Sequence, residues 1–170
     1  RQNNMVLQNT ITGVIHKFGD DVDTDQIYPG RYLYLTSQEH MAKHAMEDAD
    51  PSFSERIGKE NMILVAGKNF GCGSSREHAA RVLLYAGIKA VVAISFARIF
   101  FRNAINVSLP IFQCPKIYQN ISTGDKIEIN VSSGLIYSAS SLKSYKIETK
   151  LSEEIIRLVE SGGLIPFLKK

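Results

Sequence analysis

The sequence predicts an α/β fold with a parallel βαβ core and a β-rich C-terminal half. The first observation is an ordered series. An apolar run, Met62-Ile63-Leu64-Val65-Ala66, leads into a glycine-rich stretch from Gly67 to Ala80. A segment of helical character, Arg76 to Tyr85, and a second apolar run, Ala90 to Ile94, follow. Parallel strands need such a crossover, and it is almost always right-handed. The second observation is a change of texture after Lys116, where short alternating segments are separated by turns. The third is the position of the glycine stretch after a strand, at the edge where open α/β sheets hold their ligands.

Taken in order, residues 1–10 are polar and expected to fray. Arg1 in place of an initiator Met reads as a trimmed or tagged start, with Met5 as the native beginning. Ile11 to Phe18 alternates as a strand, in which His16 is a partly buried member rather than a catalyst. Gly19-Asp20-Asp21-Val22-Asp23-Thr24-Asp25 then carries four carboxylates in six residues. Asp21, Asp23 and Asp25 alternate like the start of a calcium loop. That reading fails, because Gln26 stands where the glycine belongs and Tyr32 where the bidentate Glu belongs. Clustered carboxylates repel, so one of them needs a cationic partner or a raised pKa. Tyr28-Pro29-Gly30-Arg31 is a turn, and Tyr32-Leu33-Tyr34-Leu35-Thr36 makes the following loop unusually apolar. Ser37 to Asp48 has helical spacing with a Ser start; His40 and His44 lie four apart but lack the zinc-protease pattern and read as surface.

In the central loop, Gly67, Gly71 and Gly73 permit positive φ and close backbone approach. Ser74 with Glu77 three residues on matches a capping box. A plain helix cap explains that pattern; an anion site at the helix start, with Arg76 as a planar fork for a carboxylate, explains it equally. Ser95 is expected to start a further helix, with Phe96, Ile99, Phe100, Asn103 and Ala104 at core-like spacing and Arg98 and Arg102 on one face. Leu109-Pro110-Ile111 begins a third short strand. Lys126 to Asn130 and Leu135 to Ser138 form a hairpin around Ser133-Gly134, and Tyr145 to Thr149 adds another strand. A final helix is expected over residues 153–161, stopped by Gly162-Gly163.

Composition narrows the classes. The 170 residues suit one domain, with 44% hydrophobic and 22% charged residues as in soluble globular proteins. A net charge of +3 with scattered Lys and Arg offers no nucleic-acid stripe. The longest apolar stretch, Ala90 to Ala97, is too short for a bilayer, and no secretory leader is evident, so no membrane and a cytoplasmic location are expected. Cys72 and Cys114 are too far apart in sequence for a redox motif. Cys114 reads as core, and Cys72 as a loop thiol rather than a nucleophile.

Gly71-Cys72-Gly73-Ser74-Ser75-Arg76-Glu77-His78-Ala79 resembles the signature of the small, swivelling domain of the aconitase family. Asp23-Thr24-Asp25-Gln26-Ile27 resembles its early acidic motif, Ser95-Phe96-Ala97-Arg98-Ile99 its post-strand helix, and Asn103-Ala104-Ile105-Asn106 the continuation. Within that family the length is similar to the free-standing small subunits of the isopropylmalate dehydratases. The resemblance implies a swivelling β/β/α domain over residues 1–170. It also implies interconversion of 2- and 3-isopropylmalate by dehydration and rehydration in leucine biosynthesis. It implies a [4Fe-4S] cluster as Lewis acid. Two cysteines cannot ligate one, so the cluster is expected on a large-subunit partner and no metal on this chain.

Roles follow by the same resemblance. Ser74 is the proton acceptor, Asp25 supports it, and Ser75 and Arg76 hold substrate. The loop of Arg31, Leu33, Tyr34 and Leu35 reads the substrate's variable group. Homoaconitase-like relatives carry an Arg where Tyr34 stands, so an apolar surface suited to an isopropyl group is implied, worth about 2 kcal/mol when buried. Arg31, beside it, would also reach a carboxylate. Isopropylmalate, dimethylmalate and homocitrate-type acids are expected in that order. A phosphate-binding module and a non-catalytic interaction subunit are the competing classes; no Gly-Lys-Ser/Thr follows Gly73, which weighs against the first.

Overall fold

The structure, a computed structural model, describes residues 10–149 and Arg157. Seven strands form one sheet in the order β4-β3-β2-β1-β5-β6-β7. They are β1 Thr10–Lys17, β2 Met62–Ala66, β3 Ile88–Ala93, β4 Ile111–Gln113, β5 Lys126–Asn130, β6 Leu135–Ser138 and β7 Lys143–Lys146. The helices are α1 Thr24–Ile27, α2 Gln38–Ala42, α3 His78–Tyr85, α4 Arg98–Asn106 and α5 Pro115–Tyr118. Strands β1 to β4 pair in parallel, while β5, β6 and β7 join antiparallel beyond β1. This is the mixed α/β architecture expected, with β2–α3–β3 as its parallel crossover unit.

Both faces of the parallel strands are covered, which is why β2 reads as a continuous apolar run rather than an alternating one. Met62, Leu64 and Ala66 face one core with Met41, Val82, Leu83, Phe100 and Ala104 of the helices. Ile63 and Val65 face the other, with Val92, Phe112, Ile127, Ile129 and Ile136. Period-two alternation thus divides one strand between two cores. Cys114 fills space in the second core, as expected.

Several boundaries differ from the sequence expectation. The helix after the glycine stretch begins at His78, and its cap residue Glu77 makes no side-chain capping bond. The Ser74/Glu77 capping box is therefore absent, because Ser74 is drawn instead to Thr24, fifty residues earlier. The genuine capping box lies in the acidic loop: Asp23 Oδ1 accepts from the Gln26 amide, and Gln26 Oε1 from the Asp23 amide. Helix α4 starts at Arg98 rather than Ser95, whose hydroxyl accepts from the Asn69 amide. Ile99, expected in the core, is exposed.

The Ser37 start is realised, its hydroxyl accepting from the His40 amide. That helix ends at Ala42 instead of continuing to Asp48, since turns follow and Met46 takes a left-handed φ of 59°. Among the described residues the last strand is Lys143–Lys146, ahead of the span expected at Tyr145 to Thr149; Thr149 Oγ1 accepts from the Gln113 amide. The helix expected over 153–161 lies outside the described residues except for Arg157, as does the N-terminal segment 1–9.

Candidate active site

Three loops leave the C-terminal ends of β1, β2 and β3, and backbone pairing continues between them past the strands. The Gly71 amide donates to the Val22 carbonyl at 2.7 Å and the Thr24 amide to the Cys72 carbonyl at 2.8 Å. The Ala97 amide donates to the Phe70 carbonyl at 2.9 Å. Isolated parallel bridges Asp23↔Cys72 and Phe70↔Phe96 mark the same extension. Gly71, at φ 85°, is required by this approach: a Cβ there would overlap the Phe100 ring.

The four carboxylates of the acidic loop have separate partners. Asp20 Oδ1 accepts from the Lys68 amide at 2.7 Å, and Asp21 Oδ1 from Asn69 Nδ2 at 3.1 Å. Asp23 caps its own helix. Asp25 Oδ1 meets Arg76 NH2 at 2.5 Å. The expected cationic partner for one carboxylate is thus Arg76, and Asp23 orders the loop.

Arg76 then turns its Nε toward Ser74, donating to Oγ at 2.8 Å. Thr24 Oγ1 lies 3.1 Å from the same oxygen and accepts from the Ser74 amide at 3.2 Å. With that lone pair of Thr24 occupied by an amide, its hydroxyl proton is free to point at Ser74 Oγ. Ser74 Oγ therefore accepts from one cationic donor, Arg76 Nε, and shares a hydrogen bond with Thr24 Oγ1 in which either hydroxyl can donate. Such an arrangement favours the alkoxide form of an exposed serine. Gly30 lies against this pair, since a Cβ there would stand 3.1 Å from Arg76 NH1 and 3.6 Å from Asp25 Oδ1. The entrance to the apolar loop thus adjoins the Asp25–Arg76–Ser74 group.

Ser75 is exposed, and its carbonyl accepts from Asn103 Nδ2 at 3.1 Å, tying the loop to α4. Tyr34 is 75% exposed at the tip of the apolar loop; Leu33 is also exposed, whereas Leu35 packs against the helical core. Arg31 is turned to one side, its guanidinium held by Glu47 and Asp48. Asp25, Arg76 and Ser74 converge, with Ser75 beside them in the chain; Arg31 does not join them. Thr24 and Asn103 were not singled out from sequence as site residues. For Thr24 the sequence offered only its place inside the acidic motif; its burial, at 4% exposure, comes from the fold.

Burial pushes the Cys72 thiol up from its ordinary value, and Asp21 and Asp23 add to that. It is a poor thiolate at neutral pH. Burial likewise pushes Cys114 up to about 11. The donor set does not fit an iron–sulfur cluster: these are the chain's two cysteines. Among the described residues, no three His, Cys, Asp or Glu side chains gather as a metal site.

Residues 10–115 match the family described as Aconitase C-terminal domain. The chain belongs to that family. It is 49% identical to the 3-isopropylmalate dehydratase small subunit of Heliobacterium modesticaldum, over 93% of this chain and 94% of that one. It is 48% identical to the isopropylmalate/citramalate isomerase small subunit of Methanocaldococcus jannaschii, covering 96% of each. A crystal structure of 3-isopropylmalate dehydratase from M. jannaschii superposes with a TM-score of 0.82 at 45% identity, covering 94% of this chain and 93% of that one. The aconitase-family fold expected from the glycine and acidic motifs is therefore this chain's fold.

Proposed function

We propose that this chain is the small subunit of a 3-isopropylmalate dehydratase, a hydro-lyase of leucine biosynthesis that works with a large subunit. Near-full-length similarity to such small subunits supports the class. The observation that carries the chemistry is the Ser74 hydroxyl held between Arg76 Nε and Thr24 Oγ1 on an exposed face. Removing a proton next to a carboxylate is difficult at neutral pH and calls for a positioned base. Ser74, with its alkoxide steadied by two donors, is that base. Asp25 fixes the Arg76 guanidinium, which holds a substrate carboxylate with the help of Ser75. The apolar loop at Leu33, Tyr34 and Leu35 meets the variable group.

Expelling hydroxide requires a Lewis acid, and the donor set of this chain does not supply one. A [4Fe-4S] cluster on the large subunit is the corresponding assignment. A cytoplasmic location accords with this; among the described residues no helix is long and apolar enough to cross a membrane. Isopropylmalate is the substrate favoured by the apolar loop, with citramalate, as named for the M. jannaschii relative, a smaller acid to assay beside it.

The test is anaerobic reconstitution with the large subunit. Ser74→Ala is expected to lower turnover by at least about 10²-fold, with stability changed by about 1 kcal/mol or less. Near-normal turnover would leave Ser74 as nothing more than a ligand of Arg76. The purified chain alone should show no dehydratase activity.

A further inference from the structure

Arg31 sits one residue after Gly30, which lies against the Asp25–Arg76 pair, yet its guanidinium is paired with two acids elsewhere. NH1 and NH2 meet the two oxygens of Asp48 at 3.1 and 2.7 Å, and NH2 also meets Glu47 Oε2 at 2.9 Å. A planar fork on one carboxylate with a second carboxylate at its end commits three of the five N–H donors and places two negative charges against the group. The guanidinium also lies over the Tyr32 ring, 4.8 Å from its centroid. Tyr32 stacks on His44 at 3.6 Å, and His44 Nδ1 lies 3.2 Å from Glu47 Oε1, closing a ring of contacts. Tyr28 Oη donates to the Tyr32 carbonyl at 2.6 Å, joining this ring to the end of α1.

The backbone beneath the two acids is fixed at some cost. Met46 is fully buried with φ 59°, a region unfavourable to a side chain of that size. Its amide donates to the Ile27 carbonyl at 2.8 Å, and its carbonyl accepts from the Asp50 amide at 2.8 Å. Strain of this kind persists where surrounding structure over-determines it, and it gathers at functional positions. Here it turns Glu47 and Asp48 toward the loop and indexes them to α1, the helix that carries Asp25.

We propose that Glu47 and Asp48 are specificity-determining positioning residues. By holding Arg31 they withhold the one cation of the apolar loop from substrate, and they fix Leu33 and Tyr34 where an uncharged group meets them. The proposal rests on the reading that this loop faces the substrate's variable group. It assigns the acids a negative role as well: an acid with a third carboxylate finds the Arg31 charge already neutralised by two carboxylates and gains little from it.

The experiment uses the reconstituted complex and the ratio of kcat/KM for isopropylmalate to that for homocitrate, a malate derivative with a third carboxylate. The Glu47→Gln/Asp48→Asn double variant is expected to move that ratio toward homocitrate by on the order of tenfold. The change should lie chiefly in KM. Adding Arg31→Met to the double variant should abolish the gain for homocitrate, which loosening of the loop alone would not do. Asp48→Glu, which keeps a carboxylate, should retain the original preference. Tyr34→Arg separates the two readings. If Tyr34→Arg shifts the ratio and the double variant does not, the loop faces substrate and the proposal is overturned. If neither shifts it, the loop does not read the variable group, and the proposal falls with that reading. Should the double variant fail to assemble, Arg31→Lys, which keeps the charge but not the fork, is expected to move the ratio in the same direction. An unmoved ratio there overturns the proposal too.

Discussion

The base proposed here, the Ser74 hydroxyl, depends on the company it keeps. Ser74 is flanked by a guanidinium that can only donate and by a threonine hydroxyl that also accepts from the Ser74 amide. Cys72, two residues earlier, has the opposite surroundings. It is partly buried and faces Asp21 and Asp23, so negative charge on its sulfur is disfavoured twice. Iodoacetamide should therefore label Cys72 more slowly at pH 7 than it labels a cysteine in an unstructured peptide. The rate should keep rising beyond the ordinary thiol pKa; labelling already at its plateau near pH 7 would contradict this environment. In the sequence, the role proposed for Ser74 rests on resemblance alone. Read locally, Ser74-x-x-Glu77 is a helix cap, and nothing near it in sequence announces Thr24, the residue that captures the hydroxyl. The partners of Arg31 were hidden for a related reason. Glu47 and Asp48 reach it because Met46 breaks an otherwise helical spacing, and no periodicity forecasts a left-handed methionine.

Elements were easier to read. Met62–Ala66 and Ala90–Ile94 are apolar without interruption because both faces of the parallel strands are covered, which makes them stand out from the chain around them. Lys126–Asn130 alternates because β5 has one buried side, Ile127 and Ile129 inward and Lys126 and Glu128 outward. Loop ends were harder to read, since their residues answer to neighbours across the fold. Gly71 shows how tightly: the backbone passes the Phe100 ring with no room for a methyl group and with a φ that disfavours one. Gly71→Ala is expected to destabilise the fold by about 2–5 kcal/mol, strain and overpacking combined. Gly87, at φ 81° but with open space around it, should cost only about 1 kcal/mol on the same change. Chemical denaturation of both variants checks the contrast.

At the scale of the whole molecule, one buried imidazole couples stability to pH near neutrality. His16 lies between Phe18 and Phe53, with Nε2 3.0 Å from Asp50 Oδ2 and Nδ1 against Arg56 NH1. Burial, then the Arg56 charge, lowers its pKa from the usual value, although Asp50 pulls the other way. A histidine held neutral when folded takes up its proton more readily when unfolded. Its contribution is complete above the unfolded value near 6.5 and declines as pH falls from there toward the lowered folded value. Stability should drop between pH 7.5 and 5.5 by at most about 1.4 kcal/mol per pH unit from this one group. His16→Gln should flatten that slope, as urea titrations at both pH values would reveal. Equal slopes in the two proteins would remove His16 from the account.

The amide-to-carbonyl stitching between the acidic and glycine loops has one more consequence. Because Gly71 and Thr24 spend their N–H groups on Val22 and Cys72 within this chain, the two loops are tied to each other before anything covers them. A covering protein would find the surface already set, and little ordering entropy would be subtracted from their affinity. Recognition between the two would then depend on matching shapes and charges, with folding finished beforehand.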